Sequence, residues 1–115
     1  MSPDEHTPQA DEQSPAVTLA EFQEVIRRMY LERDVARGID GTFMWLVEEI
    51  GELASALRKG TPQQQAAEFA DVLAWLITIA NVAGVDLSKA LADKYASGCP
   101  GCGLFVCTCP DTEKP

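Results

Sequence analysis

The sequence predicts an all-α fold of four helices, and three observations support this prediction. Each predicted helix begins after a Thr or Asp residue, the residue types that favour the N-cap position. Apolar residues recur three and four positions apart through the middle of the chain, as they do along one face of a helix. In addition, no segment alternates polar and apolar residues as a half-buried strand would.

The first predicted helix begins at Thr18, where Glu21 completes a capping box. Apolar residues follow at helical spacing, and this pattern fades as the chain approaches Gly38. A connection containing Gly38, Asp40 and Gly41 is therefore expected, because Gly and Asp favour turns.

The second predicted helix follows this connection, with Thr42 as its expected N-cap. Apolar residues continue at helical spacing as far as Leu57. The helix is expected to end with Arg58 and Lys59, followed by Gly60, because basic residues suit the C-terminal end of the helix dipole and Gly commonly terminates a helix.

The third predicted helix begins at Thr61, with Pro62 at its first position and Gln64 completing a second capping box. It is expected to end near Gly84. Apolar residues cover nearly every side of this helix, so it is expected to be buried. Three other short helices cannot cover it completely, which predicts a homodimer or a higher homo-oligomer formed through the second, third and fourth helices.

Asp86 is expected to cap a short fourth helix, which runs from Leu87 to about Ala96. His6, the only histidine, lies in a polar N-terminal stretch, so a histidine-based catalytic triad is not expected. The chain divides by composition into a disordered acidic arm, a helical domain and a cysteine-rich tail, at residues 1–17, 18–97 and 98–115.

Composition also limits the possible functions. A chain of 115 residues forms one domain at most, and its net charge of −9 disfavours a nucleic-acid polymer as partner. A nucleotide remains compatible with this charge, because a bound cation can bridge acidic side chains and phosphates. The N-terminus lacks the apolar core of a signal peptide, and the apolar stretch 72–85 is shorter than the roughly 20 residues of a spanning helix. We therefore expect a cytoplasmic protein without a membrane partner.

Two acidic pairs, each spaced three residues apart, are the most informative chemical feature. Glu49 and Glu52 lie on the second predicted helix, and Glu68 and Asp71 lie on the third. Residues three apart project from nearly the same side of a helix. The tight turn expected at Gly60 and Thr61 makes the two helices antiparallel neighbours. Four carboxylates facing one another form an oxygen-rich site for a hard cation, so the sequence predicts bound Mg²⁺, with Mn²⁺ as a substitute.

The acidic pattern resembles the signature of a known family. The E-E-x-x-E … E-x-x-D motif of the MazG-like all-α nucleoside triphosphate pyrophosphohydrolases is similar to residues 48–52 and 68–71 of this chain. The flanking runs 45–47 and 72–76 are also similar, and the resemblance extends over roughly 19–95. It implies Mg²⁺-dependent hydrolysis of nucleoside triphosphates to monophosphate and pyrophosphate, as in housecleaning of the nucleotide pool.

The resemblance also implies roles for individual acidic residues. Glu49, Glu52, Glu68 and Asp71 are the expected metal ligands. Glu48 lies about 100° around the helix from Glu49. It is expected to have an auxiliary catalytic role, in which it binds a second metal or orients the attacking water, or else it is only exposed.

Five further residues are candidates for substrate binding. Trp45 and Trp75 lie on the same helix faces as the acidic pairs, where they could stack on a base or instead pack in the core or a dimer interface. Asn81 could reach the far end of a nucleotide or pack between helices. Lys94 and Tyr95 could reach a phosphate bound by a neighbouring subunit, or Lys94 could simply be solvated at a helix C-terminus.

All four cysteines lie close together in the tail, at Cys99, Cys102, Cys107 and Cys109. The C-P-x-C-G half resembles a rubredoxin-type knuckle, and four thiolates match a closed tetrahedral Zn²⁺ site. We therefore predict a structural zinc. Disulfides are disfavoured in a cytosolic chain, and an iron–sulfur cluster also fits the number of ligands.

A non-catalytic function is the alternative. The protein could be a helical interaction module with a zinc-binding tail, which docks a basic partner through its acidic face. An amphipathic helix would suit such an exposed face. The third predicted helix is instead apolar on nearly every side, which favours the enzyme.

Overall fold

The computed structural model describes residues 16–111, and this range is mainly helical and contains no strand. It has three helices, α1 (Leu19–Lys59), α2 (Pro62–Ala83) and α3 (Leu87–Tyr95). The predicted all-α class is confirmed. The predicted N-terminal arm, including His6, lies almost entirely outside the described residues.

Three of the four predicted helix starts are confirmed by their capping hydrogen bonds. At the start of α1, Thr18 Oγ1 accepts from the Glu21 backbone N–H at 3.1 Å, and the Glu21 carboxylate accepts from the Thr18 N–H at 2.9 Å. Thr61 and Gln64 form the same reciprocal pair at the start of α2. The Asp86 carboxylate caps α3. These pairings satisfy backbone donors that have no partner within their helix.

The fourth predicted start, with Thr42 as N-cap, is wrong. Only Gly38 leaves the helical conformation inside α1, at φ 84° and ψ 166°, a region essentially restricted to glycine. Thr42 is fully buried in the following turn, where its hydroxyl donates to the Gly38 carbonyl oxygen at 2.7 Å. A single glycine therefore produces the change of direction for which a loop was expected, and it divides α1 into an N-terminal segment (residues 19–37) and a C-terminal segment (residues 39–59).

Both segments of α1 contact α2. In the N-terminal segment, the Gln23 side-chain amide donates to Asn81 Oδ1 at 3.0 Å, near the end of α2. In the C-terminal segment, the Ala56 carbonyl accepts from the Gln65 side chain at 3.2 Å, beside the turn into α2. The C-terminal segment and the first half of α2 thus form the expected antiparallel pair. The Gln23 side chain also accepts the Leu87 backbone N–H at 3.0 Å, which positions the start of α3.

The apolar core of the described chain is small. Its buried apolar residues are Ile26, Leu46, Ile77 and Ala80. The expectation that α2 is buried is not met within a single chain, because Phe69 remains 55% exposed and Leu76 46% exposed. The radius of gyration is 17.6 Å, whereas a compact domain of about 100 residues has about 13 Å. The arrangement of helices is therefore less compact than a typical domain of this size, and much of its apolar surface is exposed to solvent.

The length and composition of α2 also meet the requirements for a membrane-spanning helix. This differs from the sequence expectation, which considered only the shorter uncharged stretch 72–85; that stretch overlaps α2 and extends two residues beyond its end. Core helices of soluble proteins meet the same requirements. Length and composition therefore give only weak support for a membrane location.

Candidate metal centre and active site

Three carboxylates from α1 and α2 converge. Glu49 contributes one from α1, and Glu68 and Asp71 contribute the others from α2. One oxygen of each residue lies within 4.8 Å of the others. Glu49 and Glu68 are partly buried, whereas Asp71 is exposed. We call these three residues the acidic cluster.

Glu52 and Glu48 lie beside the acidic cluster rather than within it. The negative charge of Glu52 raises the pKa of both Glu49 and Glu68, so Glu52 acts electrostatically on residues of both helices. Glu48 and Glu52 line a cleft together with Glu49 and Trp45. The structure therefore places all five acidic candidates around one region, with three of them in mutual contact range.

The electrostatics of the acidic cluster fit a bound divalent cation. Burial and, after it, the carboxylates of Glu52, Asp71 and Glu68 together raise the pKa of Glu49 to about 7. Glu68 has a raised pKa for the same reasons, burial first. Glu49 Oε2 is buried and has no hydrogen-bond partner. An unpartnered carboxylate oxygen is costly, and a cation coordinated by these oxygens would satisfy it.

Trp45 and Trp75 form a stacked pair that borders the acidic cluster. Their ring centroids are 5.9 Å apart and the ring planes differ by 11°. Trp45 precedes Glu49 by about one turn, and Trp75 follows Asp71 by about one turn. The guanidinium carbon of Arg37 lies 5.2 Å from the Trp75 ring centroid. The two rings pack against each other, and Trp45 remains 49% exposed beside the cleft.

The other substrate-binding candidates lie away from the acidic cluster in the single chain. Asn81 follows Asp71 by ten residues, about 15 Å along α2. Its side-chain amide both accepts from and donates to Gln23, which is the helix-packing role that the sequence left open. Lys94 and Tyr95 are exposed on α3, where the Lys94 ammonium lies 5.5 Å from the Tyr95 ring centroid.

Sequence reasoning missed a buried carboxylate near the aromatic pair. Asp34 is only 2% exposed, and its Oδ1 accepts from the Arg37 guanidinium at 3.1 Å. Its Oδ2 is buried without a hydrogen-bond partner. An Asp and an Arg three residues apart, where a helical pattern fades, have the appearance of an ordinary surface ion pair. Only the packing of α2 against this segment buries the carboxylate.

The four cysteines of the tail form a second candidate metal centre. Their sulfur atoms all lie within 4.8 Å of one another, and Cys99 Sγ and Cys109 Sγ are 3.8 Å apart. A tetrahedron of Zn–S bonds of about 2.3 Å has edges of about 3.8 Å. All four thiols are free. The separation therefore fits shared coordination of one ion and exceeds the roughly 2.05 Å of a disulfide bond.

The backbone of the tail supports thiolates at this centre. The N–H groups of Thr108 and Leu104 lower the pKa of Cys102 to about 6. The neighbouring sulfurs, Cys107 first, raise the pKa of Cys109 to about 12. Because the four sulfurs lie so close together, all four cysteines would be ionised at once only with a bound cation to offset their charge. Gly98 has a φ of 104° and packs against the Leu104 carbonyl group. A Cβ at this position would lie only 2.7 Å from that group, so glycine is required here.

Comparison with known proteins agrees with this geometry. A sequence profile of the MazG nucleotide pyrophosphohydrolase domain matches residues 37–102, more than half of the chain. The matched region contains all five acidic candidates and both tryptophans, and it ends at the second cysteine of the tail. No curated protein matches the chain. With two facing helices that bring together the acidic residues of the motif, the chain belongs to the MazG nucleotide pyrophosphohydrolase domain family.

Proposed function

We propose that this protein hydrolyses nucleoside triphosphates to nucleoside monophosphate and pyrophosphate in a Mg²⁺-dependent reaction. Membership of the family supports a pyrophosphohydrolase-type activity on nucleotides in general. The observation that carries the finer proposal is the buried, unpartnered oxygen of Glu49 among the carboxylates of Glu68 and Asp71. These three carboxylates would hold the cation, which would satisfy this oxygen and offset the negative charge of the substrate phosphates.

The acidic residues have different proposed roles in this reaction. Glu49, Glu68 and Asp71 would hold the metal, and Glu52 would complete its negative environment. When bound, Mg²⁺ or Mn²⁺ offsets phosphate charge and lowers the pKa of a coordinated water. Glu48 lines the same cleft, where its carboxylate can orient the attacking water and accept its proton.

The active unit is proposed to be a homodimer or a higher homo-oligomer. The C-terminal segment of α1 exposes Phe43 and Ile50, and α2 exposes Phe69 and Leu76, each at about half of its surface. Apolar surface on two adjacent helices is suited to pack against a second copy in a four-helix arrangement. Such an assembly would cover α2 and could bring the partner's α3 towards the acidic cluster.

The tail is proposed to hold a structural zinc through its four cysteines. The sulfur spacing fits four-coordinate zinc, and a site closed by four protein ligands leaves no open position for a substrate. The metal would therefore stabilise the tail without taking part in hydrolysis.

The experiment that tests the proposed activity combines turnover with cation binding. Pyrophosphate and phosphate release would be measured with a panel of natural and damaged nucleoside triphosphates, in Mg²⁺ and in EDTA. Thermal unfolding would be followed by fluorimetry across a titration of Mg²⁺ or Mn²⁺. We expect Mg²⁺-dependent release of pyrophosphate and a thermal midpoint that rises with cation concentration. Absence of pyrophosphate release from every triphosphate, without cation-dependent stabilisation, would favour the interaction module instead.

A further inference from the structure

A cavity of about 310 Å³ lies between α2 and the N-terminal segment of α1, and the residues of α2 that line it follow Asp71 in the chain. Its wall includes Tyr30, Asp34 and Arg37 from α1, and Trp75 and Thr78 from α2. This volume is at the lower end of the range of small-molecule sites in proteins. An aromatic ring, apolar atoms and a few polar groups line it, as in a pocket for a flat heterocycle.

Asp34 gives this cavity an unsatisfied hydrogen-bond acceptor. Its side chain is 3% exposed, and Arg37 occupies only Oδ1. Oδ2 is buried and has no donor within the described chain. A buried carboxylate oxygen without a donor is destabilising, so its presence beside a cavity indicates that a ligand supplies the missing N–H or O–H.

The cavity adjoins the cleft of the proposed site of hydrolysis at the aromatic pair. Trp75 lines the cavity and stacks on Trp45, which lines the cleft of Glu48 and Glu49. From Asp71 to Thr78, α2 advances by about 10 Å. A nucleotide whose phosphates lie at the acidic cluster can therefore extend its base along α2 into the cavity.

We propose that this cavity receives the nucleobase of the substrate, and that Asp34 Oδ2 accepts a hydrogen bond from an exocyclic amino group. The proposal rests on the proposed function, and it names the substrate class as triphosphates of amino-bearing bases. An amino group projects from the ring and can approach one carboxylate oxygen freely. The ring N–H of an oxo base such as uracil lies between two carbonyl oxygens, which the carboxylate would repel.

The proposal is tested with substrate pairs that differ only by an amino or oxo group. Values of kcat/KM would be measured for dCTP against dUTP and for dATP against dITP. We expect the wild-type protein to prefer the amino member of each pair by about tenfold or more, as for other sites with a charged hydrogen-bond acceptor. Equal values for both members of each pair would overturn the proposal.

Asp34→Asn is the decisive variant. Its amide oxygen can still accept from Arg37, which preserves the local packing, while its NH₂ group can donate to a carbonyl. We expect the ratio of the kcat/KM values for the amino and oxo members of each pair to fall within about twofold or to reverse. Asp40→Asn, at an exposed position on the same helix, is the matched control and should keep the wild-type preference. An unchanged preference in a folded Asp34→Asn protein would contradict the assignment.

A binding measurement separates this proposal from the proposed hydrolysis. The two tryptophans of the chain form the wall between cavity and cleft, so their fluorescence should report entry of a base. Titration in EDTA with dCMP and dUMP should show tighter binding of dCMP by the wild-type protein. That result without pyrophosphate release would refute the activity but support the pocket. Hydrolysis without discrimination in either assay would support the activity and refute the pocket. If the Asp34→Asn protein did not fold, the kcat/KM values of the wild-type protein for the amino and oxo substrates would decide whether the proposal holds.

Discussion

At the scale of single residues, the central feature is that helix acids from two parts of the chain converge into one candidate metal site. Exposed Glu residues are common on helices and have little effect on one another. Here Glu49 is partly buried and faces two carboxylates of another helix, and one of its oxygens has no donor. The repulsion and desolvation of these residues oppose folding of the metal-free protein, and a bound cation would offset both effects.

We expect Glu52→Gln and Asp71→Asn each to abolish turnover while the fold is retained. The amides are nearly isosteric with the carboxylates, but they remove negative charge from the metal site. Pyrophosphate release at saturating Mg²⁺ should fall by about a hundredfold or more, with an unchanged circular dichroism spectrum. Glu32→Gln, at an exposed position of the N-terminal segment, should remain active. Near-native turnover in either test variant would contradict the assigned metal site.

The raised pKa of Glu49 leads to a further expectation for the metal-free protein. Its pKa rises from an ordinary value of 4.5 to about 7, so the folded chain binds this proton more tightly than the unfolded chain. Stability is therefore greatest below pH 4.5 with respect to this group and is lost as the pH rises through 7. In EDTA, Glu49→Gln should reduce this loss. Urea unfolding of both proteins at pH 5 and pH 8 measures how much stability each loses between these pH values. An identical loss in Glu49→Gln and in the wild-type protein would contradict this expectation.

At the scale of elements, the break at Gly38 determines how α1 contacts α2. A single residue outside the helical region lets both segments of α1 pack on the same partner helix. Thr42 closes the break by donating to the Gly38 carbonyl, and Arg37 donates to both Asp34 and Thr42. These hydrogen bonds therefore link the break at Gly38, where α1 changes direction, to Asp34 and Arg37, which line the cavity.

We expect Gly38→Ala to destabilise the protein by roughly 1–3 kcal/mol, because its backbone conformation is open essentially to glycine alone. A Cβ at this position would meet no atom within 4 Å, so the effect is conformational rather than steric. Gly51→Ala is the control, because Gly51 lies inside the helix with equally open surroundings and should gain about 0.5–1 kcal/mol. The urea midpoint measures both changes, and equal shifts in the two variants would be inconsistent with a required break.

The tail is a separate element, and we expect it to be separable from catalysis. Truncation after Ser97 removes all four cysteines, which follow α3 in the chain. Elemental analysis should show loss of bound zinc, while Mg²⁺-dependent pyrophosphate release continues, with a lower thermal midpoint. Full-length protein that contains neither zinc nor iron, with all thiols reactive, would refute the metal assignment. Loss of activity in a folded truncated protein would show that the tail closes over the active site.

At the scale of the whole molecule, uncovered apolar surface is the dominant feature. Half-exposed Phe69 and Leu76 on a helix of high apolar content are not a stable arrangement for an isolated chain in water. Within the described residues, the buried apolar core contains only a few side chains. Association with a second copy removes this surface from water, which would stabilise each chain more than any single internal contact.

We therefore expect sedimentation velocity at micromolar concentration to show a dimer or a larger assembly. Leu76→Glu places a charge on the exposed side of α2 and should shift the protein towards monomer, with reduced thermal stability. Val25→Glu is the control, because Val25 is 45% exposed but lies on the N-terminal segment, outside the expected interface. A compact wild-type monomer at this concentration would count decisively against the dimer.

The sequence by itself determined the helical class, three of the four helix starts and the acidic and cysteine residues that are candidate metal ligands. These features depend on interactions between neighbours in the chain, such as the caps at Thr18 and Thr61 and the three-residue spacing of Glu68 and Asp71. Gly38 shows the limit of such reasoning. The same residue can form a loop or a one-residue break, and only packing against α2 selects between them.

Only the tertiary structure decided which polar groups lack partners. Asp34 and Glu49 resemble ordinary surface acids in the sequence, because burial depends on residues far away in the chain. Packing against α2 excludes water from one oxygen of each residue and leaves it without a donor. The candidate metal ligands could be proposed from their spacing in the sequence alone. The cavity beside Asp34 could not be predicted in this way, because it exists only where α1 and α2 meet.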